Sequence, residues 1–225
     1  MVEQKRVSFS KQASYRMVNS KFPPITLFDD VIDETDFETA YALQALTNPR
    51  HLDELGDLNL IPTNEIPFGI TGVNYVTAPF THVTPDGSRF SDGSFGVLYL
   101  ADTAETAIAE TRYHQEKYFR NVEGLHYDTV DMRCLKVKFS AELIDAVSLD
   151  DIHTPDDYTA SRIFGAKVKK AEEAGIQYRS VRHKGAVCWG LMSPVHVESA
   201  VQTQHFEFVF DGKGISKVRE LTMEC

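Results

Sequence analysis

The residues between Ser88 and His114 hold the densest set of groups able to do chemistry in this chain. A polar, glycine-bearing loop, Thr84 to Ser94, carries Arg89. A nearly continuous apolar run, Phe95 to Ala101, carries Tyr99. The segment after it carries Glu110 and, four residues on, His114. On a helix, residues four apart share a face, so this carboxylate and this imidazole point the same way. Thr103, Ala107 and Thr111 share that face, with Tyr118 one turn further on. A carboxylate on an inward-looking face requires a partner or a task. The functional reading makes Arg89 a ligand clamp, Tyr99 a platform for a cofactor ring, and Glu110 a carboxylate beside a cation or an oxocarbenium-like centre. The plain structural alternative is a solvated Glu110–His114 or Glu110–Arg112 pair, a surface Arg89 and a core Tyr99. Each residue taken singly fits that alternative.

Several enzyme classes lack their signatures. No GxGxxG follows a strand and no GxxxxGK[ST] is present, which argues against Rossmann and P-loop nucleotide sites. Asp86-Gly87 and Asp92-Gly93 read as turns and do not match a calcium loop. Ser20, Ser180 and Ser193 sit in no GxSxG elbow. The eight histidines form no HExxH, and His82, His114 and His126 are too scattered to predict a metal site; no metal is expected. Cys134, Cys188 and Cys225 are far apart with no CxxC, so reduced, buried thiols are expected.

The formal net charge of −10 lacks the diffuse positive field that sequence-independent nucleic-acid binding needs. A local basic group, Arg179, Arg182, His183 and Lys184, suits a small phosphorylated ligand better than a duplex. The polar opening, MVEQKRVSFSKQASYR, has no apolar core of signal-peptide length. No window approaches the ~20 apolar residues of a membrane span. The expectation is a cytoplasmic protein with neither membrane nor direct nucleic-acid contact.

These groups must be positioned by a fold of one sizeable core, or at most two small ones, which 225 residues can build. Residues 1–24 are mixed. A helix is predicted over Asp33 to Thr47, ended by Asn48-Pro49. Residues 50–69, with Gly56, Pro62, Pro67 and Gly69, read mostly as loop. The division expected is an N-terminal segment, 1–64, packed on a main domain, 65–221. Val73 to Val83 is rich in β-branched and aromatic residues and predicts a strand kinked at Pro79. Phe95 to Ala101 predicts a buried strand. A helix then runs to about Phe119, capped by Asp102 or Thr103, with Glu105 completing a capping box. Met132 to Phe139 alternates as a strand, and Asp156 to Ala174 predicts an amphipathic helix stopped by Gly175. Ile176 to Val181 and Ala186 to Met192 predict strands. His205 to Phe210 and Ile215 to Leu221 flank Asp211-Gly212-Lys213-Gly214, a hairpin signal. About seven strands with three or four helices indicate an α+β protein with a mixed or mainly antiparallel sheet.

Taken in order, the motifs resemble the RES-domain family. Ser88-Arg89-Phe90-Ser91-Asp92-Gly93 resembles its arginine loop, and Gly96-Val97-Leu98-Tyr99-Leu100-Ala101 its tyrosine strand. Glu105-Thr106-Ala107-Ile108-Ala109-Glu110 resembles its glutamate helix, and Tyr178-Arg179-Ser180-Val181-Arg182 its late serine strand. The opening Tyr15-Arg16-Met17-Val18-Asn19-Ser20-Lys21-Phe22-Pro23-Pro24 resembles the start of a long subgroup. The chain departs from the family pattern at Phe90 and Ser91, where many members carry tryptophan and asparagine. It departs again at Arg179, where a proline or small residue is expected. The resemblance implies an ADP-ribosyltransferase-like fold, a mixed or antiparallel sheet core with flanking helices. It implies NAD as substrate, cleaved by hydrolysis or phosphorolysis or used for ADP-ribosyl transfer to a protein acceptor. It also implies a toxin held inactive by a helix-turn-helix, Xre-type antitoxin. On this reading Arg89 clamps pyrophosphate, Tyr99 stacks on the nicotinamide, and Glu110 stabilises the ribosyl cation. His114 holds Glu110 or meets the acceptor, Ser180 and Arg182 bind ribose or phosphate, and Arg16 is a second phosphate ligand. The alternative is a non-catalytic regulatory or binding protein that keeps the fold.

Overall fold

The computed structural model describes residues 5–21 and 56–221. The helix predicted over Asp33–Thr47, and Cys225, lie outside the described residues. Seven strands and three helices follow in chain order: β1 (Arg6–Asn19), α1 (Val73–Thr81), β2 (Leu98–Ala101), α2 (Ala104–Arg120), β3 (Asp128–Asp145), α3 (Thr159–Lys170), β4 (Gly175–Arg179), β5 (Val187–Leu191), β6 (Val197–Phe210) and β7 (Ile215–Leu221). The strands form one mixed sheet ordered β1-β2-β5-β4-β3-β6-β7, with β1 also paired to β3. The first five strands of that order therefore form a closed circuit. Only β3–β4 is parallel; the other pairs are antiparallel. The protein is α+β, as the sequence predicts.

β1 comes from the stretch read as mixed. Its alternation is hidden by a bulge between Phe9 and Gln12, where Lys11 takes a φ of 50°. The extra residue switches side-chain parity. Val7 and Phe9 before the bulge pack on the same side as Val18 after it, while Tyr15 and Met17 pack on the other.

The strand predicted over Val73–Val83 is helix α1 instead. Its buried residues are Val73, Asn74, Val76, Thr77, Phe80 and Thr81, and Val73, Val76, Thr77, Phe80 and Thr81 among them recur at three and four, which is the helical period. That periodicity outweighs the β-branched composition. Thr77 Oγ1 satisfies its own helix by donating to the Val73 carbonyl at 2.9 Å. Gly72 opens the helix at φ 77°, where a Cβ would lie 2.1 Å from the Ala200 carbonyl oxygen. Only glycine fits that approach.

Two other local expectations are corrected, the Asp102–Glu105 capping box and the Gly175 helix stop, while the expected Thr103 cap holds. The N-cap of α2 is Thr103, whose Oγ1 accepts from Thr106 N at 3.1 Å. Asp102 forms no capping box with Glu105; it pairs with Val187, which donates to Asp102 Oδ2 at 2.9 Å. α3 ends before Gly175, in a Schellman closure in which Glu173 N donates to Val168 O and Glu172 N to Lys169 O. Glu172 takes the left-handed position at φ 55°, and Gly175 becomes the first residue of β4.

The sheet has two unlike faces. Val73, Val76 and Phe80 of α1 pack with Leu98, Leu100, Val137, Phe139 and Trp189. Ala107 and Phe119 of α2 and Val168 of α3 pack on the opposite side with Met132, Ile176 and Phe208. Strand alternation sends Leu98 and Leu100 to the first side, and Tyr99 and Ala101 to the second. Cys134 and Cys188 are buried and free on the second side. No described helix is long and apolar enough to cross a membrane.

Candidate active site

On the α2–α3 side lies a cleft of about 580 Å3, within the ~300–1,000 Å3 of small-molecule sites. Arg16, Arg89, Tyr99, Glu110 and His114 all line it. Ser180 lies directly behind Glu110, and Arg182 sits beside Asp156 at the margin.

The arginine loop is tied on several sides. Tyr99 Oη accepts from Phe90 N at 2.9 Å and shares a hydrogen bond with Ser88 Oγ at 2.8 Å. Burial pushes the Tyr99 hydroxyl up to about 12, so it stays protonated while it holds the loop. Arg162 of α3 donates to Ser88 O at 3.0 Å and to Asp86 O at 2.6 Å. α3 comes this close because it presents Gly165, where a Cβ would stand 2.0 Å from Phe90 O. Arg89 is only 7% exposed. Its Nη1 donates to Ile152 O at 3.1 Å and Thr154 O at 3.0 Å, and its guanidinium lies 4.5 Å from the Tyr158 ring centroid. Nη2 and Nε make no hydrogen bond among the described residues. The arginine is thus a held cation with one edge left for an anion.

Glu110 projects from the middle of α2. Ser180, 7% exposed, donates to Glu110 Oε1 at 2.6 Å. The same Ser180 Oγ accepts from Arg182 N at 3.2 Å and His183 N at 2.9 Å. His183 Nδ1 in turn meets Thr106 Oγ1 of α2 at 2.8 Å. The serine hydroxyl, bonded on all sides, therefore orients the carboxylate. Among the described residues no hydrogen bond occupies Glu110 Oε2. No Glu110–His114 or Glu110–Arg112 pair forms; Arg112 pairs with Glu116 at 3.0 Å. His114 lines the cleft as an exposed residue; partial desolvation of its ring holds its pKa below the ordinary value, against the opposing pull of Glu110.

Arg16 fills the place where β1 and β2 part, since they share only the Tyr15–Ala101 pairing. Its Nη1 donates to Tyr99 O at 3.1 Å, and its buried Nε has no partner. Burial lowers its pKa to about 10, so it remains a cation at neutral pH. Arg182 stacks 3.3 Å from the Tyr113 ring centroid and reaches Asp156 at 3.2 Å. The strand residues Tyr99, Tyr178 and Cys188 form part of the lining.

Residues 66–211 match the RES domain, more than half of the chain. The chain belongs to the RES-domain family. The match begins after β1, so Arg16 reaches the cleft from outside the matched span. The chain is 28% identical over 207 residues to an uncharacterised protein, y4oC, of Sinorhizobium fredii (strain NBRC 101917 / NGR234), covering 92% of this chain and 86% of that protein. It is also similar to a chain in the crystal structure of the M. tuberculosis MbcT-MbcA toxin-antitoxin complex, with 13% identity and a TM-score of 0.37. That likeness covers 53% of this chain and 73% of the other.

Sequence reasoning missed Tyr158, Arg162, His153 and Asp156. Tyr158 and Arg162 are spaced four apart at the start of a predicted helix, a signal for one shared face. Nothing local marks that face as directed at the arginine loop.

Proposed function

We propose that this RES-domain protein consumes NAD by cleaving the bond between nicotinamide and ribose. The observation that carries this reading is the arrangement of Arg89 and Glu110: a buried, oriented cation and a serine-held carboxylate on one cleft. Heterolysis of the C1′–N bond sends the electron pair to the nicotinamide nitrogen, which leaves neutral. Positive charge then develops at C1′ and the ring oxygen. Glu110, aligned by Ser180 with Oε2 free, stabilises that charge or binds a ribose hydroxyl. Arg89 offers its Nη2 and Nε to the pyrophosphate, and Arg16 adds positive potential from the floor. Tyr99 and Tyr158 supply flat faces for the cationic ring. The acceptor, whether water, phosphate or a protein side chain, enters beside His114, whose lowered pKa favours the neutral form able to take a proton. The family resemblance supports the reading of a toxin whose NAD-consuming activity is restrained by an Xre-type antitoxin. Such a toxin acts in the cytoplasm, beside the host NAD pool.

The test is incubation of the purified protein with NAD, with and without phosphate, followed by identification of products. Release of nicotinamide, lost in Glu110→Gln, is expected. A protein that binds NAD and leaves it intact under every condition is instead the non-catalytic member.

A further inference from the structure

We infer that His153 is a positioning residue for Arg89, acting as a neutral bridge between the Asp150–His153 turn and the end of β4. This rests on the reading of Arg89 as the NAD-binding cation. His153 is buried, at 8% exposure, and lies outside the cleft lining. Its Nδ1 lies 2.6 Å from the Leu149 carbonyl, which can only accept, so Nδ1 carries the proton. Its Nε2 lies 2.9 Å from Arg179 N, which can only donate, so Nε2 is unprotonated. Both ring nitrogens are satisfied in one tautomer of the neutral ring alone. The two residues that flank His153 supply the carbonyl groups, Ile152 O and Thr154 O, that grip Arg89.

The bridge matters because the turn's other polar tie to β4 is weak, although Ile152 also anchors the turn by packing in the core. Asp150 pairs with the Arg179 side chain at 2.7 Å, but both are exposed, and such a pair holds little in water. The partly buried Arg179 N to Nε2 bond is the stronger restraint. It ends at Arg179, next to Ser180, which holds Glu110. One segment, Arg179-Ser180, therefore sets the cation from one side and the carboxylate from the other.

The charges around the ring favour the neutral form. Burial is the largest influence and lowers the imidazole pKa. Arg179 of β4 and Arg89 of the arginine loop lower it further, while the Leu149 carbonyl and Asp150 raise it. Tyr178 of β4, the remaining aromatic neighbour, has its ring centroid 6.4 Å away and its hydroxyl held protonated by burial.

The test is a double-mutant cycle on NAD affinity, measured by calorimetry in the Glu110→Gln protein, where turnover is stopped. His153→Asn can keep the Leu149 bond but cannot reach Arg179, whereas His153→Gln presents an acceptor to Arg179. His153→Asn is expected to weaken NAD about 10-fold, the scale of one hydrogen bond shielded from water on one side, and His153→Gln by less than about 3-fold. Adding His153→Asn to Arg89→Ala should weaken NAD no further than Arg89→Ala does, because the histidine acts through the arginine. Additive losses, or unchanged affinity in His153→Asn, would overturn the inference. A second readout needs no ligand: the Arg89 Nη resonances, split when the guanidinium is held, should merge in His153→Asn and stay split in His153→Gln. Split signals in all three proteins also overturn it. If Arg89→Ala leaves NAD affinity untouched, the NAD reading fails at Arg89, and the resonance experiment alone decides the bridge.

Discussion

The two faces of the sheet solve opposite problems. On the α1 side, Phe9, Phe139 and Trp189 meet with ring centroids 5.5–5.7 Å apart and seal an apolar core. On the α2–α3 side, Arg16, Arg89 and Glu110 line a cleft, and each charge is held by hydrogen bonds to groups from distant parts of the chain. The first face is held by contact area, which is non-directional and tolerant of small shifts. The second has an apolar core of its own, but the cleft above it depends on directed bonds, each of which can be removed singly. The same strand serves both, since β2 gives Leu98 and Leu100 to the core and Tyr99 to the cleft. Substitutions on the two faces should therefore fail in different ways.

The largest effect is expected from Glu110→Gln. It keeps an acceptor for Ser180 but loses the charge, so turnover should fall by about a thousandfold, the scale of losing a preorganised charge contact. The thermal midpoint and NAD affinity should hardly move. Unchanged nicotinamide release would remove Glu110 from the mechanism. Phe139→Ala is the counterpart on the other face. It should lower unfolding free energy by about 3–5 kcal/mol in denaturant titration, while the folded fraction binds NAD normally. A selective loss of NAD affinity without destabilisation would contradict the division between faces.

Arg89→Ala should weaken NAD by roughly 10- to 100-fold in calorimetry, with Arg89→Lys recovering only part, because an ammonium lacks the planar fork. Equal recovery by lysine would mean that charge alone suffices. The smallest effect is expected from Ser180→Ala, which frees Glu110 Oε1 and deletes the acceptor for Arg182 N and His183 N. Its kcat should fall about 10-fold with KM nearly constant, since a misaligned carboxylate costs more in the transition state than in binding. A rise in KM alone would place Ser180 in ligand binding.

Much of the site was legible because it is local in the chain. Arg89, Tyr99 and Glu110 lie on a loop, a strand and a helix that follow one another directly, and neighbours in sequence tend to be neighbours in space. Spacing put Glu110 and His114 on one face of α2, but that face opens to the cleft and solvent instead of the core, with Thr103, His114 and Tyr118 exposed. Ser180 was also legible as a site residue through the family motif, yet its position behind the carboxylate was not. α1 was misread because composition outweighed period. β1 was missed because its bulge inverts the parity that alternation relies on.

By itself the sequence determined the class of fold, the order of the motifs and the types of chemical group available, since these follow from local propensity and periodicity. Only the tertiary structure decided which groups meet. Arg89 is gripped by carbonyls more than sixty residues away, and Glu110 by a hydroxyl seventy residues away. Those partnerships depend on strand order, with β4 lying between β5 and β3, and on the close approach of α3 at Gly165. Such long-range pairings are selected by the packing of the whole sheet and leave no periodic mark in the segments that make them.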